Sequence, residues 1–234
     1  MERHFEQELE KLNKRILKMG NLVYEQVHNS LEALLTGNTE LAKQVVGLDN
    51  KVDKLDVKID KLCQRIFALT QPVATDLRLI MSALKMNNDL ERLGDLAVNI
   101  SEKAEGVVDY REILDDLHID ELAGMADLIV KDVINILHTR NTAFVKDIFT
   151  AAAAIEQKVQ SISARILDEM MHKTEVIVVA TNLMIILTQI DRIAGYSTNI
   201  AESVFFIVEG KVIKHKNPFK ERGDASPEMP EEVE

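Results

Sequence analysis

Two pairs of carboxylates, Asp49 with Asp53 and Glu91 with Asp95, are each spaced four residues apart. On a helix that spacing puts both side chains on one face, one turn apart. Two such pairs on facing helices can surround a hard divalent or trivalent cation with oxygen ligands. The same spacing also suits a plain solvated acidic face, paired with lysines of its own helix or with Arg92. A reduced copy lies about a hundred residues on. DLERLGDLAVNISE from Asp89 aligns with QIDRIAGYSTNIAE from Gln189, so that Arg92 meets Arg192, Glu91 meets Asp191 and Asp95 faces Gly195. At an offset of 107, Ile155, Val159, Ile162 and Ile166 fall on Leu48, Val52, Leu55 and Ile59. Glu156 then takes the place of Asp49, and Gln160 that of Asp53. The second copy keeps Glu156 and Asp191 and lacks its other two ligands, so it is weak or lost.

These residues need long helices to carry them. Leu41, Val45, Leu48, Val52, Leu55, Ile59, Leu62, Ile66 and Leu69 advance by alternating fours and threes, a coiled-coil-like seam. At 100° per residue, Asp49, Asp53, Asp56 and Asp60 gather on one flank of that seam and Lys51, Lys54, Lys58 and Lys61 on the other. On the next helix Leu77, Ile80, Met81 and Leu84 share a side that continues through Asn88, Glu91, Asp95, Asn99 and Glu102, turning from apolar to acidic halfway. Gly94, inside it, admits the close approach of another backbone.

Punctuation places six helices, at about 5–35, 39–69, 73–107, 120–138, 142–171 and 176–209. Asn38 is an N-cap, Gly37 and Gly210 are stops, and none of the four prolines interrupts a helix. With 234 residues, 4% aromatics and no Trp, the composition is that of an all-α protein. The repeat makes it two tandem, pseudo-symmetric three-helix bundles, residues 1–110 and 115–214, with a disordered acidic tail at 217–234.

Composition also excludes. A net charge of −11 argues against a nucleic-acid partner, whose affinity comes from neutralising phosphates. One cysteine, Cys63, allows no internal disulfide and reads as a packed small hydrophobe. The start MERHFEQELEKL has no apolar signal core, and the run Val176–Leu187 is too short to span a bilayer, so the expectation is a cytoplasmic protein without direct membrane insertion. No histidine stands three residues after an acid on the acidic stripe, as di-iron oxidases require, and no nucleophile and base share a motif; the expectation is no enzyme. Arg92 and Arg192 could bind phosphate or pair with the stripe, and Asn99 and Asn199 could orient metal ligands or bond helix to helix. Met81, Met170 and Met184 read as core filler, and the long seams suit self-association without deciding an oligomeric state.

The paired Glu/Asp-x-x-x-Asp motifs, the Glu91-Arg92-x-Gly94-Asp95 segment followed by Asn99-Ile100, and the Gln71-Pro72-Val73 junction together resemble the PhoU phosphate-signalling proteins. The likeness covers about residues 5–214. It implies a two-bundle cytoplasmic regulator, peripheral to the membrane through its partners: the phosphate transporter's ATPase subunit and a membrane sensor kinase, with phosphate-starvation genes held off when phosphate is plentiful. It also implies metal at the acidic motifs, as iron, zinc, manganese or magnesium, on Asp49, Asp53, Glu91 and Asp95. Gln160 and Gly195 depart from the family pattern in the second repeat. The alternatives are a PhoU-like partner of a sodium–phosphate cotransporter and a metal-free helical scaffold.

Overall fold

The structure, a computed structural model, describes residues 2–213, with side chains described from residue 5; the tail expected at 217–234 lies outside the described residues. Within them the fold is all helical, as α1 (Glu2–Thr36), α2 (Thr39–Leu69), α3 (Ala74–Ala104), α4 (Arg111–Asp116), α5 (Ile119–Thr139), α6 (Val145–His172) and α7 (Ile177–Glu209). The stops act as their chemistry requires. Asn38 caps α2 by accepting from the Leu41 amide at 3.1 Å, and Gly210 ends α7 in the left-handed region at φ 68°.

Three long helices form each repeat. α1 packs on α2 and α3, α5 on α6 and α7, and the repeats join where α3 meets α7 and α1 meets α5. The contacts run α2–α3–α7–α6 as one layer, with α1 and α5 as the layer behind. α3 and α7 lie antiparallel about one pseudo-two-fold. Lys85 reaches Glu202 at 3.5 Å, Asn199 donates to Asp89 at 3.5 Å, Gly106 faces Asn182 and Gly210 faces Arg78. Asn199 is therefore a helix-to-helix link. The core is aliphatic throughout, from Leu12, Ile16 and Met19 on α1 to Ile190, Ile193 and Ile200 on α7, as the composition implies.

Several expectations change in detail. Arg111–Asp116, expected as loop, is a short helix held from outside: Leu114 and Leu117 are buried, and Arg111 donates to the Leu35 carbonyl at the end of α1. Six residues cannot offset helix nucleation by local bonds alone, so nothing in their own periodicity marked them. Ile80 is buried, but Leu77 and Met81 on the same helix are exposed among the described residues, Met81 by 53%. Met81 is not core filler. α7, with the turn before it (174–209), is long and apolar enough to cross a membrane, at mean hydropathy 1.7, where the run Val176–Leu187 alone had looked too short. Here its buried residues pack on α3, α5 and α6.

Gly37 closes α1 at φ 68°, and a Cβ added there would run into Val108. Gly37→Ala therefore lowers stability by about 2 kcal/mol, through left-handed strain and displaced packing. Thermal melting should show a fall of about 4–8 °C for a chain of this size.

Candidate metal centre

The acidic site forms where α1, α2 and α3 meet. Asp49 projects from α2 into the crevice opposite Gly94 of α3; a Cβ on Gly94 would stand 3.5 Å from Asp49 Oδ1 and 3.6 Å from Val52. The group that Gly94 admits is not a backbone, as its smallness suggested, but the side-chain amide of Gln26 on α1, whose Oε1 would lie 3.0 Å from that Cβ. Gln26 is fully buried. Its Nε2 donates to Asp49 Oδ1 at 3.2 Å and to the Val45 carbonyl at 3.4 Å, and its Oε1 has no hydrogen-bond partner among the described residues. Leaving such an oxygen unpaired costs about 1–3 kcal/mol.

On the outer side Arg92 turns back along α3. Its Nη1 meets Asp95 Oδ2 at 3.1 Å and its Nε meets Glu91 at 3.5 Å. One turn along α2, Asn87 Nδ2 donates to Asp56 Oδ1 at 2.6 Å and Asp60 Oδ1 at 3.1 Å, so two side-chain amides, Gln26 on Asp49 and Asn87 on Asp56 and Asp60, hold the aspartate flank of α2, while Arg92 holds the acids of α3. Asp53 is exposed and Asp49, Glu91 and Asp95 are half-buried.

Crowded carboxylates of one sign hold protons more tightly. Burial pushes Asp49 up, and Asp53 and Asp95 add to the rise against the hydrogen bond from Gln26. Burial also raises Glu91, with Asp95 adding and Arg92 opposing. Asp56 rises for the same first cause, with Asp60 adding and Asn87 opposing. Charge thus acts across the two helices, from Asp95 of α3 on Asp49 and from Asp53 and Asp56 of α2 on Glu91. Among the described residues, however, no three Asp, Glu, His or Cys side chains converge closely enough to hold an ion in this arrangement. The donor set still fits a hard cation in kind: carboxylate oxygens repelling one another, beside a buried amide oxygen with no donor among the described residues. Arg92 now provides the positive charge there.

Because folding raises these pKa values, the folded chain holds more protons than the unfolded one just above the ordinary carboxylate range. Stability contributed by these groups therefore falls as pH rises through that window. With chelator present, Asp49→Asn should melt about 1–2 °C above the parent at neutral pH, the effect being small because the site is partly solvated. The difference should vanish below about pH 4, where both forms are neutral. Melting curves across pH check this.

The second repeat lacks this arrangement on all three helices. Gly37 and Arg140 end α1 and α5 in the same left-handed conformation, 103 positions apart. Aligned on them, Gln26 and Ser30 fall on Ile129 and Val133, both fully buried. Glu156 is exposed and accepts from Gln160 at 3.4 Å, Asp191 is half-buried, and a Cβ on Gly195 would meet nothing within 4 Å. Gln26 was missing from the residues singled out by pattern. Its signal was a glutamine among the core positions Met19, Val23, Val27 and Leu34 of α1.

A family model described as the PhoU domain matches this chain twice, over residues 16–104 and 119–204, and so spans both repeats. The chain belongs to the PhoU family. It is 30% identical over 217 residues to the phosphate-specific transport system accessory protein PhoU homolog of Rhizobium meliloti, covering 92% of this chain and 91% of that protein. The homolog of Aquifex aeolicus is also 30% identical over 217 residues, covering 93% and 98%. Among solved structures, PhoU from Pseudomonas aeruginosa superposes with TM-score 0.84 at 28% identity, over 88% of this chain and all of that one. The phosphate transport system regulatory protein PhoU from Streptococcus pneumoniae superposes with TM-score 0.79 at 25% identity, over 89% and 98%. The two-bundle PhoU fold, with its matched repeats, is therefore common to this chain and both structures.

Proposed function

We propose that this chain is a non-catalytic accessory regulator of a phosphate transport system, working in the cytoplasm on the transporter's ATPase subunit and a sensor kinase. The observation that carries this is the double family match over the whole helical body, with full-length relatives named as accessory proteins of phosphate-specific transport. The acidic crevice gives such a regulator a place for a cation. Asp49, Asp53, Glu91 and Asp95 would hold it, and Gln26 would orient Asp49 through its amide. The ion would neutralise a group of carboxylates that otherwise repel one another, drawing α2 and α3 together. Iron, zinc, manganese and magnesium all suit oxygen donors to differing degrees, with manganese and magnesium the better match for an all-oxygen set.

Co-purification tests the partners. The tagged chain should retain the transporter ATPase subunit or the sensor kinase from cells grown with ample phosphate. Retention of neither, with or without phosphate, refutes the signalling role, and capture of a sodium–phosphate cotransporter in their place reassigns the chain to that transporter.

A further inference from the structure

The lysines of α2 stand apart from its acids and take no part in the crevice. Lys51, Lys54, Lys58 and Lys61 advance by threes and fours, so they share one side of α2 over about 15 Å, turned away from Asp49, Asp53, Asp56 and Asp60. α1 runs antiparallel along α2, with Gln26 on Asp49, Arg15 donating to the Lys58 carbonyl at 2.6 Å and Glu8 paired with Arg65. Arg15 brings Lys11 and Lys18 to the same side, one turn before it and one turn after. All six lysines are exposed, and among the described residues none of them forms an ion pair. The acids on this stretch of α1, Glu8 and Glu10, are taken by Arg65 and Lys14. A chain of net charge −11 thus carries one strongly basic face.

The fold does not require that face. At the matching positions the second repeat has Leu114 and Glu121 for Lys11 and Lys18, and Ser161 and Asp168 for Lys54 and Lys61. Lys158 and Arg165 keep the charge of Lys51 and Lys58, but Lys158 pairs with Glu121 and Arg165 donates to the Asp116 carbonyl. The basic face of the first repeat also ends on apolar side chains. Leu69, three turns after Lys58 on the same side of α2, is 67% exposed, and Val73 in the turn that follows is 69% exposed.

We propose that this face of α1 and α2 lies on an anionic bilayer surface, with the lysines at the headgroup phosphates and Leu69 and Val73 sunk among the headgroups. Lysine is a strongly hydrated point charge on a flexible stem, poorly suited to a desolvated protein interface and well suited to a charged surface met through water. The arginines of the face, Arg15 and Arg65, are engaged within the chain, so nothing forks onto a single phosphate. Exposed aliphatic side chains at the end of a basic helix face are taken up by a bilayer and gain nothing from a polyanion in water. The aspartates of α2 stand across the helix, about 10 Å away, beyond the Debye length of about 8 Å at physiological salt, so their repulsion is largely screened. Seated in this way, the crevice of Asp49 and Glu91 faces away from the bilayer. The contact needs neither the ATPase subunit nor the kinase, so it stands or falls separately from those partners.

The purified full chain, with EDTA present to remove bridging metal, is sedimented with vesicles of phosphatidylcholine and phosphatidylglycerol. It should bind them at about 0.1 M salt, bind vesicles of phosphatidylcholine alone at least about 20-fold less, and be released at about 0.5 M salt. Each lysine beside an anionic leaflet is worth about fivefold in affinity, so Lys54→Glu with Lys58→Glu should weaken binding at least about 20-fold. Leu69→Ala should weaken it about 3-fold. Lys131→Glu with Lys146→Glu, the same change of charge on exposed lysines of the second repeat, should leave it unchanged, and every variant should keep the circular dichroism of the parent. No binding to the mixed vesicles, or equal binding to phosphatidylcholine alone, overturns the proposal. So does an equal loss in the two lysine pairs, which would mean that net charge and not this face decides binding. Release from the vesicles by duplex DNA of equal phosphate content would give the face to nucleic acid, and a dimer abolished by Lys54→Glu with Lys58→Glu would give it to a second copy of the chain; either result refutes the bilayer.

Discussion

Replacing Asp49 by Asn and Glu91 by Gln together should lower manganese affinity at least about 100-fold. Losing even a residue that only orients a metal ligand typically costs 10–100-fold, and here two ligands are removed from two different helices. Glu156→Gln with Asp191→Asn should leave both stoichiometry and affinity as in the parent, because the second repeat has Ile129, Gln160 and Gly195 where the first has Gln26, Asp53 and Asp95. Isothermal titration of metal-stripped protein, with metal analysis of the reconstituted chain, decides both points. The unaltered helical fold of the Asn and Gln variants, read by circular dichroism, separates lost ligands from lost structure. Equal affinity in parent and double variant would move the ion elsewhere, and no binding to the parent would leave a metal-free scaffold.

Leu90→Ala should be among the most damaging single changes to stability, lowering it by about 2–5 kcal/mol and the melting temperature by about 6–15 °C. Leu90 is fully buried on α3, the helix of the first repeat that packs on α1 and α2 and also on α7 of the second. A cavity there is not easily closed by movement of one neighbour. Leu69→Ala, at the exposed end of α2, should shift melting by no more than about 1–2 °C. Urea unfolding followed by circular dichroism would show the contrast as a large change in midpoint for the first variant alone.

Much of the architecture was legible because long helices announce themselves locally. The seam from Leu41 to Leu69 needed only its spacing; Val52, Leu55, Ile59, Leu62 and Ile66 are buried as the seam requires. Asn38 capped where a short polar side chain before an apolar run should cap. Arg92 paired with the acidic stripe because it is three residues from Asp95 on the same helix, a separation that helical geometry makes close. Cys63, read as a small hydrophobe, is fully buried, and burial and Asp60 push its thiol up to about 12.

The errors share a cause. Met81 has the same helical face as Ile80, and its exposure is set by how far the described helices packed on α3 reach, which its own spacing does not encode. Gly94 signalled a close approach without naming the approaching group. α4 is held by Leu114, Leu117 and the carbonyl of Leu35, contacts contributed largely by other parts of the chain.

By itself, then, the sequence determined the all-helical class, the order and near-limits of the long helices, the tandem repeat, the family resemblance, and which carboxylates share a face. Each of these follows from residues within a few turns of one another, or from comparison of one half with the other. Tertiary structure alone decided that Gln26 reaches Asp49 past Gly94 and that Asn199 ties α7 to α3. Those facts depend on helices meeting at particular heights and angles. Periodicity says which face of a helix is buried, but the partner on that face is set by how six long helices fill one volume together.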